Sequence, residues 1–467
     1  MVERIVSYVR FLSAGIVLLS FAGCSSIGAY LAPHLEDRSP DVPSRYTLYS
    51  EEAEASGPWW EALGSSELDR LVEKAISGNF SVQEAWARLE QTRYAAVKAG
   101  ADLYPALNFS AGSSYTETKQ KAAGKLSTEE WSLGFSASYE VDLWGRIRAE
   151  RESSLLLAQA SENDVKAAVL SLTGQLAENW LKLISAKQQE ILFNQQLQVQ
   201  QKLLDIIKFR FPNGKSTALD IYQQQQTIEK LRTALIPIQS SQARIARLLA
   251  LLTGKTSLDP SLLRQSAFPQ LPPVPALGIP ADLLAQRPDI RSAGLKLKAS
   301  EWEVSTAKAD RLPAFKISAS HRYSGDEIAS LFDNWLLNLA ANLSGAVFDG
   351  SRRKAEVERV RAIANERLAA YRKTVVTAIT EVEDALTEED QYTRTVASLE
   401  KQIRLSQETL REARRRYLNG SSDFVNVLKE ELNFIELQQD TITAKEQMIA
   451  ARIHLQMALG GSWLDTL

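Results

Sequence analysis

Reactive side chains are scarce in this chain. One cysteine, Cys24, and three histidines, His34, His321 and His454, are distributed over 467 residues. The histidines lie far apart, and no His/Cys metal spacing or glycine-rich phosphate loop accompanies them. Carboxylates are plentiful, but Glu381, Glu383 and Asp384 fall on helical faces, where solvated ion pairing is the usual role. No enzyme and no cofactor is expected, and a single cysteine allows no disulfide within the chain. The most informative groups belong to a segment written twice. Arg210-Phe211-Pro212-Asn213-Gly214 returns as Arg416-Tyr417-Leu418-Asn419-Gly420, a shift of 206 residues. The chemistry of such a segment is that of a helix turn, in which glycine supplies a left-handed residue and the polar groups cap carbonyls.

Other landmarks recur at nearly the same spacing, so the chain reads as a duplication. Tyr104-Pro105-Ala106-Leu107 answers Leu312-Pro313-Ala314-Phe315, and Thr253-Gly254 answers Gly460-Gly461. Each copy runs in the order helical pattern, two alternating strands, one very long helical pattern, Asn-Gly turn, returning helix. The first copy is placed at residues 67–257 and the second at 281–461, with a Pro-rich connector at 258–280 and a short tail at 462–467.

The strands are read from period two. Leu107, Phe109, Ala111, Ser113 and Tyr115 alternate with Asn108, Ser110, Gly112 and Ser114. Trp131, Leu133, Phe135, Ala137, Tyr139, Val141 and Leu143 alternate with Ser132, Gly134, Ser136, Ser138, Glu140 and Asp142. Phe315 to Tyr323 and Trp335 to Val347 repeat this in the second copy. The expected strands are about 104–117, 129–143, 313–324 and 334–348. Each is long enough, when tilted, to cross hydrocarbon, with aromatic residues at the ends and Leu133 expected near mid-bilayer. Four strands alone leave two open edges, which lipid does not tolerate. Closure with other copies is therefore expected; two copies give eight strands and three give twelve, with room for a pore. Three is the favoured number. Lys316 and Arg322 on one inward face, and Glu140 and Asp142 on another, imply a lumen of mixed charge.

After each strand pair an almost unbroken helical register follows, roughly Arg146 to Phe211 and Arg352 to Leu418. Some 65 residues at 1.5 Å each reach about 100 Å. Leu172, Leu176, Trp180 and Leu183, and likewise Leu428, Leu432 and Ile435, have the spacing of a coiled-coil seam. Gln195, Gln196 and Gln223 to Gln226 are rich in amides, as a solvated helix surface would be. The fold class is thus mainly α with β.

At the N-terminus, Arg4 and Arg10 precede an apolar run from Phe11 to Phe21 and the small pair Ala22-Gly23, the layout of a secretory leader over residues 1–23. Phe21-Ala22-Gly23-Cys24 resembles the lipobox of bacterial lipoproteins, which implies a diacylglyceryl thioether on Cys24 and, with Ser25 next, delivery to the outer membrane. Residues 24–66 read as an extended, lipidated segment. The formal charge of −3 offers no basic footprint for nucleic acid.

Taken together, the residues resemble the outer-membrane efflux (TolC-like) proteins, in their NodT-like lipoprotein branch. The match is carried by Trp59-Trp60-Glu61-Ala62-Leu63, by Pro237 opening a helix that ends Leu251-Leu252-Thr253-Gly254, by Arg287-Pro288-Asp289-Ile290-Arg291, and by the twin turns. The resemblance implies a homotrimer with a twelve-stranded barrel in outer-membrane lipid and a long helical barrel in the periplasm. It also implies a periplasmic adaptor and an inner-membrane transporter of the resistance-nodulation-division type as partners. Arg210, Asn213, Gly214, Arg416, Asn419 and Gly420 would then mark the periplasmic tips, where the adaptor docks and the channel closes. The family often carries an acidic residue six positions past each tip glycine. Asp220 stands there in the first copy and Asn426 in the second, leaving Asp423 as the substitute carboxylate. The expected function is passive exit of small molecules. A lipid-anchored coiled-coil scaffold or adaptor would share the hairpins but not the strands, and a type I protein-secretion duct would share both.

Overall fold

A computed structural model of the chain describes residues 43, 45–46, 58–120, 124–271, 274, 277 and 280–460. Cys24, the leader, the tail and six residues of the Pro-rich connector (272, 273, 275, 276, 278 and 279) lie outside the described residues. Two compact units are present, and they cut across the duplication. The first contains residues 87–162 and 292–372, and the second contains 40–86, 163–291 and 373–467.

The first unit holds the sheet. Helix α1 (Ser66–Gly78) and helix α2 (Phe80–Ala101) precede strands β1 (Ala106–Gln120) and β2 (Gly124–Val141), and then helix α3 (Arg146–Arg210) begins. In the second copy, the short helix α5 (Leu283–Gln286) and helix α6 (Pro288–Ala309) precede β3 (Ala314–Gly325) and β4 (Trp335–Ser344), and helix α7 (Arg352–Leu418) follows. The strands pair in sequence order, β1-β2-β3-β4, all antiparallel. The register joins Phe109 to Phe135, Phe135 to His321 and His321 to Leu337. Odd-numbered residues of all four strands therefore share one face. That face presents Leu107, Phe109, Phe135, Ile317, Trp335, Leu337, Leu339 and Leu343 as exposed side chains. The even face is mainly Ser, Gly and Asn, with a few charges and with Leu336 and Ala340 on β4. Lys316, Arg322 and Glu140 occupy this one face rather than two, because Glu140 is the register partner of Lys316.

Four strand boundaries differ from the sequence reading, among them the end of β1, which runs on to Gln120 past about 117. β2 starts at Gly124, earlier than about 129, because the β1–β2 hairpin continues seven rungs past the last three-stranded one through mostly polar residues. β2 stops at Val141, since Asp142 accepts from the backbone N–H groups of Ile147 (3.1 Å) and Arg148 (3.0 Å) and so caps α3. β4 stops at Ser344, and Val347 lies beyond it, fully exposed. Leu133 also moves: its rung contains Tyr323 and Trp335, the aromatic rim, and the middle rung is that of Ala137, Ala319 and Leu339.

The second unit holds the main core. Ser65 caps α1 by accepting from Leu68 N–H, and Leu68, Leu71, Val72 and Ala75 bury one face of that helix. They pack with Trp59, Trp60, Leu172, Leu176, Trp180 and Leu183, so the seam read on α3 is buried. Glu67 is buried there without penalty because its carboxylate accepts from Trp180 Nε1 (3.0 Å) and from the backbone N–H groups of Arg264 (2.7 Å) and Gln265 (2.8 Å). Helix α4 (Ala218–Leu252) returns from the first turn and helix α8 (Phe424–Leu459) from the second. Pro237 lies inside α4 instead of opening it. It is exposed there, so the carbonyl it leaves unbonded faces water. On α8 the seam runs Phe424, Val427, Glu431, Ile435, with Leu432 exposed. The buried Glu431 pairs with Arg414 of α7, which a reading by apolar residues alone passes over. Gly254 and Gly460 both adopt positive φ (71° and 83°) after α4 and α8, and Gly461 lies outside the described residues.

Candidate functional site: the paired helix turns

Both turns are built by the same local rules. Gly214 (φ 65°) and Gly420 (φ 74°) sit in the left-handed region that ends α3 and α7. Asn213 Nδ2 donates to the carbonyl of Phe209 (3.3 Å), one of the last open carbonyls of α3. In the second turn Ser421 takes that duty, its N–H and hydroxyl both donating to Arg416 O (2.9 and 3.0 Å), while the Asn419 N–H donates to Arg415 O (3.1 Å).

The acidic positions behave differently from each other. Thr217 and Asp220 form a reciprocal capping box at the start of α4: Thr217 N–H donates to Asp220 Oδ2 (2.9 Å), and Thr217 Oγ1 accepts from Asp220 N–H (3.2 Å). Asp423 occupies the N-cap position of α8, but its carboxylate makes no cap hydrogen bond, and Asn426 Nδ2 donates to Ser422 Oγ (3.0 Å). The first-copy carboxylate is thus committed to its helix, and the second-copy one stands open at the surface.

One residue joins the two turns. Arg210 donates to the carbonyl of Leu418 at the end of α7 (3.1 Å) and to Lys215 O (3.4 Å), and its guanidinium lies over the Tyr417 ring (5.3 Å to the centroid). Arg416, its copy, turns back to Glu412 (2.9 Å), whose carboxyl the hydrogen bonds from Arg415 and Arg416 hold at about 2. The first copy has Ile206 at that place, so Arg210 has no equivalent partner on its own helix. Beneath, Ile207, Tyr417, Phe424 and Val427 form a small buried cluster with Leu203 and Ile221, drawing on all four long helices. Burial, and next the charge of Asp220, push the Tyr417 phenol above its ordinary range. This cluster was not read from sequence: only the Tyr417 position is aromatic in both copies, its counterpart Phe211 is exposed, and Phe424 answers to Ala218.

The Arg287 motif lies elsewhere in the second unit. Arg287 is buried, fork to fork with Asp289 (3.0 and 2.7 Å), and also donates to Glu381 (2.6 Å) and to Ala458 O (3.0 Å) at the end of α8. Pro288 occupies the first position of α6, and Arg291 N–H donates to Arg287 O (3.1 Å). The motif therefore locks the junction of α6, α7 and α8. Beside it, a cleft of about 470 Å³ is lined by Asp289, Glu388 and His454. His454 Nε2 lies 3.0 Å from Glu178 Oε1, and this hydrogen bond raises the imidazole's pKa against the opposing effect of burial, while it lowers that of Glu178. The bridge stabilises fully below about pH 6.5, the unfolded imidazole value, and is lost as pH rises through the elevated folded value. A His454→Gln variant is expected to lie less than about 1 kcal/mol below the parent at pH 5.5, the side chain being half exposed, and to converge with it by pH 9. Denaturant titrations at the two pH values check this; a gap that widened with pH would exclude the bridge.

Among the described residues no group of three or more His, Cys, Asp or Glu is placed to hold a metal, and no helix is long and apolar enough to cross a membrane. The profile described as outer membrane efflux protein matches residues 71–255 and 279–461. The chain is 31% identical over 423 residues, 87% of either protein, to the pyoverdine export outer membrane protein OpmQ of Pseudomonas aeruginosa. It is 27% identical over 464 residues to the outer membrane protein OprJ of the same organism, covering 97% of this chain and 95% of that one. Among solved structures, a membrane protein from Pseudomonas aeruginosa superposes with a TM-score of 0.86 at 26% identity, over 92% of this chain and all of that one. CusC superposes with a TM-score of 0.83 at 23% identity, covering 92% of this chain and 100% of that one, a likeness of fold.

Proposed function

The chain belongs to the outer membrane efflux protein family, and from that premise we propose that its paired helix turns form the resting gate and adaptor-docking tip of a passive exit duct. The duct is the outer-membrane channel component of a tripartite efflux system, a trimer in which each copy contributes four strands to a twelve-stranded barrel. Its members are channels rather than enzymes, and we assign the chain no catalytic role. The observation that carries the reading is the sheet: a single register places most apolar strand residues on one face, Leu336 and Ala340 of β4 being the main exceptions, while among the described residues β1 and β4 each keep an unpaired edge. Extraction that needs detergent and yields a heat-sensitive trimer supports it. A water-soluble monomer would overturn it.

The adaptor and the inner-membrane transporter, of the resistance-nodulation-division class, drive transport. Relatives are named for export of pyoverdine, toluene, antibiotics and cations, a spread that fits a duct whose cargo is chosen by the transporter. Small molecules are its cargo. At the tip, the Arg210 bond to Leu418 O holds the two turns of one copy together. A charged hydrogen bond contributes about 1.5 to 3 kcal/mol, less when exposed, so Arg210→Ala should raise the open population roughly tenfold. Uptake of a bulky dye by cells carrying the variant reads this, and parental tightness would remove Arg210 from the gate. Cys24 carries the lipid anchor. Cys24→Ser should abolish labelling by a radioactive fatty acid, and persistent labelling would refute the assignment.

A further inference from the structure

On the even face of the sheet, charge occurs at two levels. At the outer one Arg322 donates to Glu130 (2.7 Å). At the inner one Glu140 pairs with Arg146 (2.9 Å) and Lys316 (3.5 Å). Between them lie Ser132, Gly134, Ser136, Ser138, Ser318 and Ser320, which are small and uncharged. Glu130 and Glu140 are ten residues apart on β2, about 33 Å of strand. Since odd residues face lipid in the closed barrel, even ones face its lumen, and threefold repetition turns each pair into a ring.

We propose that the Arg322–Glu130 pair is a specificity-determining element: it holds the lumen wall at its own level electrically neutral, so that this ring favours neither small anions nor small cations. This rests on the channel reading above. Each ring combines three positive and three negative charges at hydrogen-bond distance, and their fields cancel over the width of the pore. Removing one partner leaves three like charges around a lumen with a low-dielectric wall, which focuses field lines. The pair is half exposed, so its energetic contribution to folding is small and its substitution leaves the strands intact.

The test places a reporter thiol one rung from the pair, as Ser132→Cys, and measures its reaction with cationic and anionic methanethiosulfonate reagents added outside intact cells at low ionic strength, with the unsubstituted chain as blank. In the parent background the ratio of the two rates should equal that of a free thiol in solution. Glu130→Gln should lower the cationic-to-anionic ratio roughly threefold to tenfold, and Arg322→Gln should raise it by a similar factor. The double variant and Arg322→Lys should both return to the parent ratio. Unchanged ratios in all variants would overturn the proposal while leaving the channel intact. A thiol that reacts only with a lipid-soluble maleimide would instead overturn the facing of the strands, and the channel reading with it.

Discussion

Arg452→Ala will destabilise the helical unit by about 3 to 5 kcal/mol, the largest loss expected from any single substitution considered. Arg452 and Glu389 are both buried between α8 and α7, with Arg452 Nε donating to Glu389 Oε2 at 2.8 Å. Removing the guanidinium leaves a carboxylate without its counter-charge in a place water does not reach. The duplication supplies the rescue. At the equivalent positions of the first copy stand Leu183 and Ala246. Combining Arg452→Ala with Glu389→Leu reproduces that apolar pairing, and should recover most of the loss, because replacing both members of a buried ion pair by packed apolar groups is often neutral. Denaturant unfolding of the detergent-solubilised trimer, followed by helical circular dichroism, measures both variants. If the double variant were as weak as the single, the pair would have a role beyond its own charge balance.

Leu339→Arg is the second large effect, at about 2 to 4 kcal/mol for a charge at the bilayer midplane. Leu339 is exposed on the odd face and shares its rung with Ala319. The same change at Leu133 should cost only about 0 to 1 kcal/mol, since its rung-mates Tyr323 and Trp335 mark the interface. Refolding yields into lipid vesicles, or the urea midpoint of the refolded barrel, separate the two. Equal losses at both sites would mean that the hydrocarbon band is displaced along the strands.

The strands were legible because their side chains alternate, strictly in the second and less so in the fourth, where Leu336 and Ala340 break the pattern, and period two fixes the face of each residue before any partner is known. Their ends were not. Asp142 continues the alternation in sequence but is taken by the N–H groups of α3, a choice made by hydrogen bonding and invisible to hydropathy. The mostly polar rungs from Ser114 to Gln120 are a strand with little apolar signal. Long helices were legible from an unbroken register, whereas Glu381, read as a solvated carboxylate, pairs with the buried Arg287, since sequence alone does not say which charged residues find a partner indoors. At the turns, Asn-Gly announced the left-handed residue in both copies. That Asp220 is committed to a capping box while Asp423 is free of one depends on Thr217, three residues upstream, being matched by Asp423 itself in the second copy.

The unpaired edges of β1 and β4 have a genetic consequence. Every copy in a ring is the neighbour of both others, so a copy with a damaged edge spoils an assembly that includes two sound ones. If half the subunits made by a cell were faulty and mixing were random, only about one ring in eight would be wholly sound. Lesions in those edges should therefore be dominant when expressed beside the wild type, whereas lesions confined to the buried helical core, which remove subunits before they assemble, should be recessive.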